Sequence, residues 1–192
     1  MSLKILNLPL AEADVRSLSL GDQVLLNGTL YTARDAAHKF LAGGENPPEL
    51  PEGLDLRGSA IYHCGPVVIP QDGGWRITAA GPTTSAREEP YQAEVIRRFG
   101  VRAIIGKGGM GAVTREALRT QGAVYLSAVG GAAQVLAAAI LRVKKVFFLE
   151  EFGYPEAIWC LEVKDFPAIV TMDANGENLH EQILEQSRPA SR

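Results

Sequence analysis

Short apolar runs, rich in β-branched and aromatic residues and separated by turn residues, fill the first third of the chain. Residues 23–26 and 29–32 flank Asn27-Gly28, a dipeptide suited to a tight two-residue turn, so a β-hairpin is expected there. Residues 35–41 carry the spacing of a short helix, which Gly43-Gly44 should stop. Three prolines between residues 45 and 53 mark a loop. Residues 59–63 and 75–80 are apolar enough for strands.

From there the pattern alternates. Strand-like runs at 77–80, 102–105 and 123–128 each lead into a turn and then a helical pattern, at 91–99, at 114–120 and in an Ala/Val/Leu stretch reaching residue 140. Residues 146–149 give another strand. Strand–turn–helix units in series predict βαβ crossovers and a parallel sheet. Residues 157–163 and 168–172 then read as paired strands, and 178–186 as a closing helix. The expected fold class is α/β, with a central parallel sheet and flanking helices in one domain over residues 1–192.

Composition narrows the choice of function. A chain of 192 residues is long enough for one domain with its own core, and an apolar share of 46% is ordinary for a globular protein. A net charge of −3 speaks against a nucleic-acid partner. No run approaches the roughly 20 apolar residues of a membrane span, and residues 1–10 lack the apolar core of a signal peptide, so no membrane association and a cytoplasmic location are expected. The two cysteines, Cys64 and Cys160, form no Cys-x-x-Cys motif and read as buried free thiols. A cubane cluster needs three or four thiolates, so any such cluster would sit on another chain.

Three strand–helix turns carry the candidate chemistry: Gly81-Pro-Thr-Thr84, Gly106-Lys-Gly-Gly109 and Gly130-Gly131. Ligands of a parallel sheet collect beyond the carboxyl ends of its strands, where main-chain N–H groups and helix N-termini favour anions. Arg87 and Lys107 add cations suited to carboxylates. Gly106 to Gly111 also fits the spacing of a dinucleotide-binding loop, but residues 127–130 place no acid at the end of the next strand. A P-loop is excluded because Gly108 follows Lys107 where Ser or Thr is required. His38 and His63 lack partners at metal spacing and read as hydrogen-bonded structural histidines, and His180 as a surface residue.

Five segments in order, Thr32-Ala-Arg-Asp-Ala-Ala-His38, Tyr62-His-Cys-Gly-Pro66, Gly81-Pro-Thr-Thr-Ser-Ala-Arg87, Ile105-Gly-Lys-Gly-Gly-Met110 and Asp165-Phe-Pro-Ala168, carry a resemblance. From about residue 3 to about residue 184 the chain resembles the β subunit of class I fumarate hydratase, equivalent to the C-terminal domain of the single-chain enzymes, with the L(+)-tartrate dehydratase β subunit as sibling. The resemblance implies a swivelling β/β/α domain with a second, smaller sheet. It implies a partner α subunit carrying a [4Fe–4S] cluster, whose open iron binds a small dicarboxylate as Lewis acid at a site shared between the subunits. A homodimer of isolated β chains is also compatible with it.

By the same resemblance, Arg34 clamps a substrate carboxylate, Thr83 takes the proton from carbon, and Thr84 is its hydrogen-bonding neighbour. Arg87 and Lys107 bind carboxylate, and Gly108 lies in the same substrate-binding turn. Glu88 stands where many relatives have Met and is expected to be peripheral. Fumarate is the favoured substrate, with tartrate and mesaconate left open. Two rivals remain at this stage: a non-catalytic anion- or nucleotide-binding module, and a structural scaffold.

Overall fold

The computed structural model describes residues 2–188. The N-terminal part contains β1 (Leu3–Asn7), α1 (Glu12–Arg16), β2 (Gln23–Thr32), α2 (Asp35–Ala42) and β3 (Ala60–Tyr62). A hairpin of β4 (Val67–Gln71) and β5 (Gly74–Ala79) follows, then a 3-10 turn (Ser85–Glu88) leading into α3 (Glu89–Phe99). The remainder is β6 (Ala103–Gly106), α4 (Ala112–Gln121), β7 (Val124–Ser127), α5 (Ala133–Ala138), β8 (Ile140–Phe147), α6 (Leu149–Phe152), β9 (Ile158–Met172) and α7 (Leu179–Ser187).

The main sheet runs β1-β2-β3-β6-β7-β9-β8, and an additional β2–β9 pairing closes its middle into a ring. The first five strands in that order are mutually parallel, whereas β9 is antiparallel to β2, β7 and β8. The sheet is thus mixed rather than wholly parallel. β4 and β5 make a separate two-stranded sheet, the smaller sheet of the expected architecture.

Strand alternation feeds two cores, because successive side chains leave opposite faces of a sheet. Ala60, Tyr62, Ala103, Ile105, Val124 and Leu126 point into one cluster with Trp159 and Phe166. Their neighbours Ile61, Ile104 and Tyr125 point the other way, joining Leu41, Ile96 and Leu118 from α2, α3 and α4. Both faces of β3, β6 and β7 are therefore buried, and their sequences are continuous apolar runs rather than alternating ones. Trp75 on β5 packs edge-on against Trp159, fixing the small sheet to the main one.

Two expected hairpins are absent. Residues 23–32 form one strand, β2, and the two strands expected at 157–163 and 168–172 are one strand, β9. Each carries an irregularity at the same level: the β2–β9 register slips between Leu26 and Gly28, opposite Asp165 with φ +53°. The Asn27 side chain accepts the Asp165 N–H at 2.8 Å. Asn-Gly here makes a bulge in a long antiparallel pair, a local geometry that shares the turn's need for positive φ. Gly28 is required for a further reason: a Cβ there would stand 2.8 Å from the Leu8 carbonyl oxygen.

The residue 77–80 segment is also reassigned. It belongs to β5 of the small sheet, so the Gly81 turn does not end a strand of the parallel set. The strand of the main sheet preceding α3 is β3, with the β4–β5 hairpin inserted after it. Among the described residues no helix is long and apolar enough to cross a membrane.

Candidate active site

The Gly81 turn reaches the strand-end edge by docking on the residue just past β3. Thr83 donates to the His63 carbonyl from its main-chain N–H at 2.7 Å and from its hydroxyl at 3.0 Å. Thr84 then pairs alongside Lys107 in a parallel bridge, and the Ser85 N–H donates to the Lys107 carbonyl at 3.0 Å. The third turn closes against the other two. The Ala80 N–H donates to the Ala133 carbonyl at 2.9 Å, a Cβ on Gly81 would sit 3.2 Å from that of Ala133, and one on Gly130 would sit 3.7 Å from the Lys107 stem. The three turns singled out in the sequence are therefore contiguous, with Thr84, Lys107 and Gly108 exposed and Thr83 half-buried.

Arg34 and Arg87 form the neighbouring part. Arg34 precedes α2, and its guanidinium lies over Gly65, where a Cβ would come within 2.6 Å of Nη1. Its Nη2 is 3.4 Å from Glu156 Oε1, while Glu156 Oε2 accepts the Ala36 N–H at 2.9 Å. Arg87, on the 3-10 turn, is paired with Asp35, the residue after Arg34. Segment 63–65 runs between the two parts, bonded to Thr83 and packed on Arg34. Among the described residues no carboxylate is paired with Lys107.

Beneath this face lies a buried polar layer that sequence reasoning did not assemble. His38 and His63 are fully buried, their rings edge to face at 5.0 Å, and both contact Gln92 of α3. Burial holds both imidazoles below their ordinary pKa, His63 well below it with His38 adding to the effect. Their expected role as hydrogen-bonded structural histidines agrees with this setting. Glu88 corrects its expectation: it is 1% exposed and packs under the site rather than at its rim. Its Oε2 is 3.6 Å from His38 Nδ1, and burial, followed by the Asp35 charge, pushes its carboxyl up to about 7 against the pull of Arg87. The signal available in the sequence was its place one residue after Arg87, on a turn whose inward face is fixed only by α2 and α3.

His180 also departs from its expected surface position. It is half-buried, and a Cβ on Gly109 would meet its ring at 2.6 Å, so α7 braces the Lys107 turn.

Cys64 lies in the ring interior and Cys160 in the helix-facing core, both thiols raised by burial, Cys64 to about 12. Two buried thiols in separate cores do not fit a cubane cluster. Among the described residues no group of three metal-binding side chains is formed. Two clefts of about 370 Å³ lie elsewhere, one around Arg57, Lys144 and Lys145, the other beside α7.

Comparison with known proteins adds the ancestry of this arrangement. The family described as Fumarase C-terminus matches residues 2–183. A Geobacillus stearothermophilus protein named "Putative fumarate hydratase class I" is 52% identical over 183 residues, 95% of this chain but 34% of that protein. The chain thus spans about a third of that relative's length. "Putative L(+)-tartrate dehydratase subunit beta" of Methanocaldococcus jannaschii is 44% identical, covering 91% of this chain and 89% of that one. The L(+)-tartrate dehydratase subunit beta of Escherichia coli K12 is 38% identical, covering 92% and 86% respectively. With the matched region running from β1 into α7 and including every residue of the candidate site, this chain belongs to the Fumarase C-terminus family.

Proposed function

We propose that this chain is the cluster-free half of an iron–sulfur hydro-lyase that adds water to, or removes it from, a C4 dicarboxylate. Fumarate hydration to (S)-malate is the favoured reaction. The observation that carries the reading is the convergence of Thr83, Thr84 and Lys107 on one exposed edge, with Arg34 and Arg87 beside them. The 52% identity to a protein named as a fumarate hydratase supports fumarate. The 44% and 38% identities to a putative and a named L(+)-tartrate dehydratase β subunit keep tartrate as the second reading.

In this reading the [4Fe–4S] cluster belongs to a partner α subunit, which closes over the exposed edge. Lys107 and the two arginines neutralise the substrate carboxylates, and Gly108 lets the main chain approach them. The pairs Arg87–Asp35 and Arg34–Glu156 hold the guanidinium forks in place before substrate arrives. The exposed Arg87–Asp35 pair contributes only about 0–1 kcal/mol, so a dicarboxylate can replace Asp35. Removing a proton next to a carboxylate builds negative charge on that carboxylate, and nearby cations stabilise it. Thr83 is the base in this scheme, with Thr84 as its hydrogen-bonding neighbour. An ordinary hydroxyl is too weak for the task, and the positive field of Arg87 and Lys107 favours its alkoxide.

Co-expression with an iron–sulfur α subunit tests the reading. Turnover of fumarate or tartrate by the complex, and none by this chain alone, is the expected result. A complex that turns over no C4 dicarboxylate, or one that keeps full activity after Lys107→Ala, would overturn it. Cell fractionation would place the complex, for which the cytoplasm is proposed.

A further inference from the structure

The buried polar layer is one continuous chain of hydrogen bonds. His38 Nδ1 lies 3.0 Å from the Arg34 carbonyl, and its Nε2 lies 3.0 Å from Gln92 Oε1. The same Gln92 oxygen is 2.8 Å from His63 Nε2. His63 Nδ1 is 2.8 Å from Ser85 Oγ, which also accepts the Tyr125 hydroxyl at 2.8 Å. All five side chains are fully buried. Polar groups in such a setting are unfavourable unless paired, and once paired they fix one geometry.

The chain touches the main chain of each segment that carries the candidate site. Its His38 end holds the Arg34 carbonyl. His63 in its middle is the residue whose carbonyl accepts both Thr83 bonds. Its Ser85 end donates through the backbone to the Lys107 carbonyl. Gly106, immediately before Lys107, is shaped to this layer: a Cβ there would stand 1.9 Å from Ser85 Oγ and 3.2 Å from His63 Nδ1.

Gln92 is the junction, since one end of its amide contacts both rings while Nε2 has no hydrogen-bond partner among the described residues. The Arg34 carbonyl can only accept, so neutral His38 carries its proton on Nδ1 and its Nε2 accepts. The amide turned by half a turn, with its NH2 donating to both Nε2 atoms, satisfies the layer and ties α2 to the end of β3. No catalytic contact is required of Gln92 for this. Its effect is on where the Arg34, Thr83 and Lys107 segments stand relative to one another.

We infer that Gln92 and His63 are positioning residues that lock the Arg34 clamp to the Thr83 and Lys107 turns. This role rests on reading the face as the dicarboxylate half-site. A displacement of about 1 Å between reacting groups can slow an enzyme by about a hundredfold.

The test compares Gln92→Met, Gln92→Glu and Lys107→Ala in the complex with the iron–sulfur subunit, together with amide NMR of the isolated chain. Gln92→Met is expected to lower kcat at least tenfold while KM changes less than threefold, and to shift the Thr83 and Lys107 amide signals. Gln92→Glu keeps the shape but not the NH2 donor, so its kcat should stay well below wild type. Should Gln92→Met fail to fold, Ser85→Ala carries the same readouts. Wild-type kcat in Gln92→Met, or unmoved Thr83 and Lys107 signals, would overturn the positioning role and leave the half-site reading intact if Lys107→Ala is inactive. Full activity of Lys107→Ala, or a wild-type complex without turnover, would overturn both.

Discussion

Thr83 donates twice to one atom, the main-chain oxygen of His63, through its N–H at 2.7 Å and its hydroxyl at 3.0 Å. The hydroxyl hydrogen is thereby directed into the protein, and the oxygen lone pairs are left for the open side of the turn. A carbonyl accepts a hydrogen bond but does not take up a proton near neutral pH. Thr83 can therefore act on a carbon acid only if the cations beside it make its alkoxide accessible.

That arrangement makes the hydroxyl itself indispensable under the proposed function. Thr83→Val, close in shape but without the oxygen, should lower kcat of the complex by about a hundredfold or more, the usual scale for a proton-transfer group. Thr83→Ser should stay within about tenfold. A fully active Thr83→Val would reduce Thr83 to a loop anchor.

Gly106→Ala should weaken both stability and turnover. The added methyl carbon would lie 1.9 Å from Ser85 Oγ and 3.1 Å from the Tyr125 hydroxyl, so the buried layer must shift. Overpacking of this kind costs about 1–3 kcal/mol. Urea unfolding of the isolated chain measures the first effect, and kcat of the complex the second.

Gly65→Ala addresses the clamp separately. A Cβ at this position meets the Pro155 carbonyl at 2.7 Å and Arg34 Nη1 at 2.6 Å. Movement of the arginine side chain relieves only the second contact, so the main chain at residue 65 or 155 must shift as well and stability should fall alongside. KM for the dicarboxylate is expected to rise about tenfold, the scale of one lost charge-assisted hydrogen bond. An unchanged KM would show that Arg34 does not touch substrate.

Glu88 gives the folded chain a distinctive pH response. Its carboxyl titrates near 7 when folded, against an ordinary value of 4.5, so across that window the folded chain holds a proton that the unfolded chain has released. Stability from this group therefore falls as pH rises, by roughly 3 kcal/mol in total. His38 and His63 act in the opposite sense: burial keeps them neutral, and protonation of the unfolded chain lowers stability as pH falls below about 6.5. Glu88→Gln should remove only the first contribution. Its stability relative to wild type should climb between about pH 4.5 and 7, as followed by urea midpoints. A pH-independent difference would mean that Glu88 titrates normally.

Asn27→Ala tests the paired irregularities of β2 and β9. Losing the 2.8 Å bond to the Asp165 N–H should destabilise the chain by about 1 kcal/mol, read from urea unfolding. No change would mean that the bulge stands without it.

Much of the fold was legible along the chain. Helices over 35–41, 91–99, 114–120 and 178–186, and strands over 102–105 and 123–128, lie close to the observed α2, α3, α4, α7, β6 and β7. Those elements are announced by local chemistry: apolar spacing, glycine stops and, at α7, the Asn178 side chain accepting the His180 N–H. The glycine turns with Thr83, Thr84 and Lys107 were legible for the same reason, and the five ordered motifs carried the family. Asn27-Gly28 was misleading because positive φ suits a turn and a bulge equally, and only the partner strand selects between them.

The sequence alone determined the helices α2, α3, α4 and α7, the strands β6 and β7, and the chemistry offered at the turns, because these depend on residues near one another in the chain. Tertiary structure alone decided that β9 lies antiparallel between β2 and its other neighbours, that β5 leaves the main sheet, and that Glu88, Gln92, Ser85 and Tyr125 turn inward together. A polar side chain is buried only when distant segments arrive to satisfy it. His38, His63, Tyr125 and the segment from Ser85 to Gln92 come from four separate stretches of chain, so no local pattern could have shown them as one layer.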